Sequence, residues 1–94
     1  MDFLLKAKEV SQQLSQDNRL TSSHVSLYLA LLIVWEQNSF ANSFNITRKK
    51  LMCISKIASF TTYHKCIREL EVAGYIKYEP SFHPQGSLVY MQQR

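Results

Sequence analysis

Apolar residues recur at helical spacing through most of the chain and change to alternation only near its end. From Asp2 to about Gln16, Phe3, Ala7, Val10 and Leu14 step by four, three and four. That is the narrow seam of a helix packing on another helix. Between Val25 and Trp35 only Ser26 is polar. A helix starting at Thr21-Ser22-Ser23 and ending near Asn38 would therefore be buried on nearly every side. Its apolar stretch is too short for a bilayer, which needs about 20 residues. Tyr28, Leu32 and Trp35 share one stripe and read as core. Ser39 to Ile46 is a polar, Asn-rich link in which Phe40, Phe44 and Ile46 are expected to tuck inward.

The stretch from Thr47 to Gly74 predicts two helices joined by a tight turn. The first runs from about Arg48 to Ser55 with Thr47 as N-cap, and Leu51, Ile54 and Ile57 share a face. The turn is Lys56-Ile57-Ala58, and Ser59 is the next N-cap. The second helix runs from about Phe60 to Ala73 on the apolar set Tyr63, Cys66, Ile67 and Leu70. Gly74 stops it, because glycine takes the left-handed conformation common at helix ends. Tyr75–Glu79 and Ser87–Met91 carry β-formers in alternation and predict a hairpin. Its loop, residues 80–86, holds two prolines and a glycine, with Phe82 and His83 near the tip.

The 94 residues predict one domain, and 46% apolar content supports a folded core. The net charge of +4 is unevenly placed. Residues 1–47 hold three bases against four acids, whereas residues 48–94 hold eight bases against three acids. The basic half coincides with the two joined helices and the hairpin, the footprint expected of a phosphate-binding surface. An anionic membrane would also attract it, but no basic amphipathic helix with a broad apolar face is free to lie on one. Cys53 and Cys66 occupy apolar helix positions and read as buried free thiols in a reducing cytosol, so a cytoplasmic location is expected. His24, His64 and His83 are scattered singly, so no metal is expected. Asp2, Lys6, Lys8 and Glu9 at the amino end do not form a secretory leader. Gly-rich phosphate loops, paired acids and a Cys–His pair brought together by spacing are all missing. The expectation is a non-enzyme with no cofactor and no small-molecule ligand.

Thr61, His64, Lys65 and Arg68 repeat at i, i+3, i+4 and i+7 and form a face of donors and cations without an acid. Such a face on its own is more often merely solvated; the preceding turn, the following hairpin and the charge placement argue for the major groove of DNA. The run SKIASFTTYHKCIRELEVAGYIKYEP resembles the helix-turn-helix and wing entry of winged-helix DNA-binding proteins. The matching positions are Ser59, Thr62, Tyr63, Leu70, Gly74, Tyr75 and Ile76; Ala58 stands where many such turns carry glycine. From about Thr21 to Met91 the chain is also similar to small winged-helix regulators of Bacteroides-type bacterial mobile elements. The resemblance implies a mainly α winged helix-turn-helix domain with a small β-hairpin, a short strand at Phe44-Asn45-Ile46 and an extra N-terminal helix. It implies binding of double-stranded DNA in transcription regulation. Thr61, His64, Lys65 and Arg68 would face base edges or nearby phosphates, and Arg48, Lys49, Lys50 and Lys56 would hold the backbone. Ser59 and Thr62 from the motif, with Lys77 and His83 from the hairpin, complete the expected contact set. The alternative is a winged helix used for protein contact in a replication, partition or conjugation assembly. The N-terminal seam can close on the chain's own central helix or on a second subunit, and a homodimer through residues 2–38 is the expected assembly.

Overall fold

Four helices and three short strands follow the order α1 (Asp2–Gln16), α2 (Ser22–Gln37), β1 (Phe44–Ile46), α3 (Arg48–Ser55), α4 (Phe60–Val72), β2 (Ile76–Glu79) and β3 (Ser87–Met91). The structure is a computed structural model describing residues 2–81 and 86–92, without the side chains of residues 2–7 and 11. Phe82 and His83, and the side chains of Phe3 and Ala7, lie outside the described residues.

Capping groups set the helix limits. Thr47 Oγ1 accepts from the Lys50 N–H at 3.2 Å and starts α3, and Ser59 Oγ accepts from the Thr62 N–H at 3.3 Å and starts α4. At the start of α2 the Thr21 N–H donates to His24 Nδ1 at 2.9 Å, so a histidine takes the place a glutamate holds in the usual capping box. Helix α4 closes in a Schellman arrangement: Tyr75 N–H donates to Leu70 O at 3.0 Å and Gly74 N–H to Glu71 O at 2.9 Å, with Gly74 at φ +90°. Between α3 and α4 the left-handed residue is Lys56, φ +64°, so Ala58 needs no glycine.

Helix α2 packs against α1, α3 and α4 and is the centre of the molecule. Leu27, Tyr28, Ala30, Leu31, Leu32 and Val34 are buried along it, facing Leu51 of α3, Tyr63, Ile67 and Leu70 of α4, and Leu14 of α1 in one core. Leu29 and Ile33 depart from the expected all-round burial: they are 43% and 44% exposed on a stripe that no described element covers. The reason is geometric, since three helices cannot close the whole circumference of a fourth. Val10 and Leu14 of the α1 seam pack onto the core of this same chain. In the link after α2, Phe44 and Ile46 tuck in as expected, whereas Phe40 is 42% exposed and stands edge-on to Trp35 at 5.1 Å. Cys66 is buried but Cys53 is exposed, which corrects the expectation of two buried thiols. Leu51 and Ile54 turn α3 inward, and Cys53 falls on its outer side.

The expected hairpin is part of a larger unit. β1 joins it to make a three-stranded antiparallel sheet in the order β1-β3-β2. Val89 of the central strand faces Phe44 on one side and Tyr78 on the other, and it is fully buried. Gly86 leads into β3 at φ +99°, where a Cβ would lie 2.0 Å from the Ile46 carbonyl oxygen. Only glycine lets β3 approach β1 so closely. No described helix is long and apolar enough to cross a membrane.

Candidate nucleic-acid interface

Helix α4 buries Tyr63, Cys66, Ile67 and Leu70 and turns Thr61, His64, Lys65 and Arg68 outward, all four exposed. The 3.6-residue period separates the two sets, so burying the apolar stripe forces the polar face into solvent. Burial pushes the Tyr63 phenol well above its ordinary value, with the Arg48 guanidinium partly opposing, and raises the Cys66 thiol. Both therefore stay neutral as core groups.

Arg48, on the first turn of α3, reaches across to α4. Its guanidinium carbon lies 4.4 Å from the Phe60 ring centroid, and Nη1 is 3.5 Å from His64 Nε2. Arg48, His64 and Arg68 line one concave surface together with Glu71 of α4, Tyr78 of β2 and the Gly86-Ser87 corner. This groove runs between α4 and the base of the β2–β3 loop. Lys49 borders the outer side of α3 with Met52, Cys53 and Phe60. Lys56, Ser59 and Thr62 border a third, hydroxyl-rich hollow shared with Ser22, Ser23 and Ser26. There the Ser26 hydroxyl donates to the Ser55 carbonyl. Lys50 is exposed at the start of α3.

Acids in this half of the chain are engaged internally. Glu69 Oε1 accepts from His24 Nε2 at 2.7 Å, and His24 is only 3% exposed. Because Nδ1 accepts from Thr21, Nε2 is the nitrogen that carries the hydrogen. Glu71 Oε2 accepts from the Tyr78 N–H at 3.0 Å and so pins the outer edge of β2 to α4. Glu79 lies 3.9 Å from Lys77 Nζ. Among the described residues, ion pairs join Arg19 to Asp17 and Lys77 to Glu79, Glu69 meets His24 through a hydrogen bond, and none of these contacts involves a lysine or arginine of α3 or α4. Arg48, Lys49 and Lys50 also crowd the N-terminus of α3, where the helix dipole disfavours cations.

Of the residues expected from sequence, Thr61, His64, Lys65 and Arg68 share a face, and Arg48 joins them from α3. Lys77 does not. Alternation along β2 puts it on the opposite side of the sheet from Tyr78, beside Glu79 and 5.4 Å from the Tyr90 ring. Ser59 is a helix cap first, and Thr62 turns toward α2 rather than toward the cationic face. The apolar pattern gives no sign that Phe60 and Val72 stand apart, yet they are 59% and 81% exposed. Phe60 keeps step with Tyr63 and Ile67, so periodicity alone would bury it. Phe60 stands on the side of the first turn of α4 that borders Arg48, Lys49, Met52 and Cys53 of α3 rather than the core. The sequence carries no signal for the roles of Glu69 and Glu71, since their partners lie on other elements.

Among the described residues no group of three or more His, Cys, Asp or Glu side chains could hold a metal ion. Comparison of the chain with protein-family models, with curated proteins and with solved structures finds no match.

Proposed function

We propose that the chain is a winged helix-turn-helix domain that binds duplex DNA and regulates transcription. In this reading α4 lies in the major groove, its N-terminal half reading base edges and Arg68 gripping a base or a nearby phosphate. The lysines of α3 and Lys56 hold the phosphate backbone, which positions the domain without specifying sequence. The β2–β3 loop serves as the wing. One observation carries the reading: among the described residues, the cations of α3 and α4 stand exposed and outside any ion pair, while every acid of residues 48–94 has an internal partner.

The test is retention on random-sequence duplex as salt rises. A slope of log K against log salt of about −0.9 for each phosphate neutralised, with five or so phosphates engaged, is expected. Weak retention insensitive to salt overturns the reading. That result would favour a protein-contact module instead, a role supported by the exposure of Phe60 and Val72 on the same helix. The reading extends to assembly. The charge-free stripe of Leu29 and Ile33, flanked by Val25, Leu20 and Ile54, is the surface on which a second copy would pair. Light scattering that returns 11.0 kDa at high micromolar concentration excludes the homodimer.

A further inference from the structure

Arg48 differs from its two basic neighbours in what it touches. Lys49 and Lys50 extend from α3 into solvent, whereas the Arg48 guanidinium sits over the ring of Phe60, 4.4 Å from its centroid. It also donates toward His64 Nε2 at 3.5 Å, a direction fixed because arginine has donors only. A cation on a ring face is held in one orientation, and its planar fork keeps further N–H groups to offer. Phe60 in turn is 59% exposed, an aromatic side chain at the first residue of α4 with one side against Arg48 and much of the rest in water.

We infer that Arg48 and Phe60 act together as a base-step reader: Arg48 grips a guanine, and Phe60 packs on the 5-methyl group of the adjacent pyrimidine. This rests on the duplex-binding reading proposed above. The chemistry of the two side chains selects the two bases. Guanine presents O6 and N7 as paired acceptors in the major groove, which arginine meets bidentately, and the C5-methyl of thymine is the apolar contact available there. Stacked bases follow at about 3.4 Å along a strand, close to the spacing of guanidinium and ring. Arg48 is thereby a specificity-determining residue contributed by the helix before α4, and only Lys49 and Lys50 remain as backbone contacts at that terminus. Thymine and 5-methylcytosine present the same methyl group, so either base satisfies the contact.

The experiment uses the full chain. Bound sequences are selected from random duplex, and affinities are then measured by fluorescence anisotropy at fixed salt on the selected duplex and its single-base variants. Arg48→Lys keeps the charge but not the fork. Guanine preference at one position is expected to fall by about tenfold or more. Uracil in place of the neighbouring thymine removes only the methyl and should weaken the wild-type chain several-fold. Phe60→Leu should shrink that thymine-to-uracil ratio toward one. Cytosine at that position should bind as weakly as uracil, and 5-methylcytosine should recover affinity if the methyl group from either source suffices. Recovery with thymine alone restricts the contact to thymine.

Equal binding of thymine and uracil duplexes, together with an unchanged selected sequence for Arg48→Lys, overturns the inference and returns Arg48 to the phosphate contacts. The uracil comparison uses the unmodified protein, so it decides the ring's role even where a variant folds poorly. A wild-type chain that shows no salt-dependent binding to any duplex defeats the parent reading, and this inference falls with it.

Discussion

Helices α2 and α4 pack on one another and present the same kind of inner face. Each buries a tyrosine among leucines and isoleucines, Tyr28 in one and Tyr63 in the other. Desolvation raises both phenols, Tyr28 to about 12. Their outer faces differ, although both helices leave apolar side chains exposed, Phe60 and Val72 at the two ends of α4. That of α2 shows Leu29 and Ile33, and that of α4 shows Thr61, His64, Lys65 and Arg68. Their ends differ as well. Gly74 takes the left-handed turn after α4, whereas Ser39 and Phe40, at φ +56° and +58°, take it after α2 without glycine. Folding dictates the inner faces, because each must fill the same core at close packing. The outer faces are free of that demand, so their residues report what the surface is for.

The largest expected effect comes from cutting the join between the two helices. His24→Ala removes the side chain that accepts from Thr21 and donates to Glu69, and it leaves a cavity beside α4. A loss of about 3 kcal/mol in urea unfolding is expected; unchanged stability would mean that the helices are held by apolar packing alone. Next is the cationic side of the comparison. Converting Arg48, Lys49 and Lys50 to glutamine should reduce the salt slope of duplex binding by roughly 0.9 for each phosphate left unneutralised. The unfolding midpoint should hold or rise slightly, since these cations oppose the α3 dipole. An unaltered slope would remove that helix terminus from the interface.

Arg68→Ala should cost about 1–3 kcal/mol of binding and relax one base position if Arg68 meets a guanine. A uniform loss across all sequences would instead assign it to a phosphate. A smaller change is expected at the other helix end. Ser39→Gly should stabilise the fold by about 0.5–1 kcal/mol, because glycine takes the left-handed conformation without a Cβ penalty. Chemical denaturation that finds no gain would show that the Ser39 side chain contributes more than the backbone costs.

The smallest effect concerns acid. The Arg19 side chain and N–H hold the Asp17 carboxyl well below the usual carboxylate range, with Tyr75 Oη donating at 3.3 Å. A depressed carboxylate contributes stability that is complete above its unfolded value, about 3.9, and lost as pH falls below it. The advantage of the wild-type chain over Asp17→Asn should therefore be constant at neutral pH and shrink as pH drops from about 4 toward 2. A gap that persists at the lowest pH would show that Asp17 acts through its hydrogen bonds in either protonation state.

Local signals made much of the chain legible from sequence. Thr47, Ser59 and Gly74 bound α3 and α4 through contacts within three to five residues, and apolar spacing separates the buried face of α4 from its polar one. The concentration of bases after residue 48 is equally plain in the sequence. Other features depended on residues far apart in the chain. Glu69 and Glu71 look like acids that dilute a basic helix until α2 and β2 supply His24 and the Tyr78 N–H as partners. Phe60 and Val72 carry an apolar identity that predicts burial, and only the reach of neighbouring elements leaves them exposed. Lys77 counts as one more cation in the sequence, yet strand alternation and sheet order turn it away from the α4 groove. Caps and periodicity act over one or two turns and can be read from neighbours. The partner of a side chain, and what is left uncovered, follow from packing between distant segments, which no local pattern encodes.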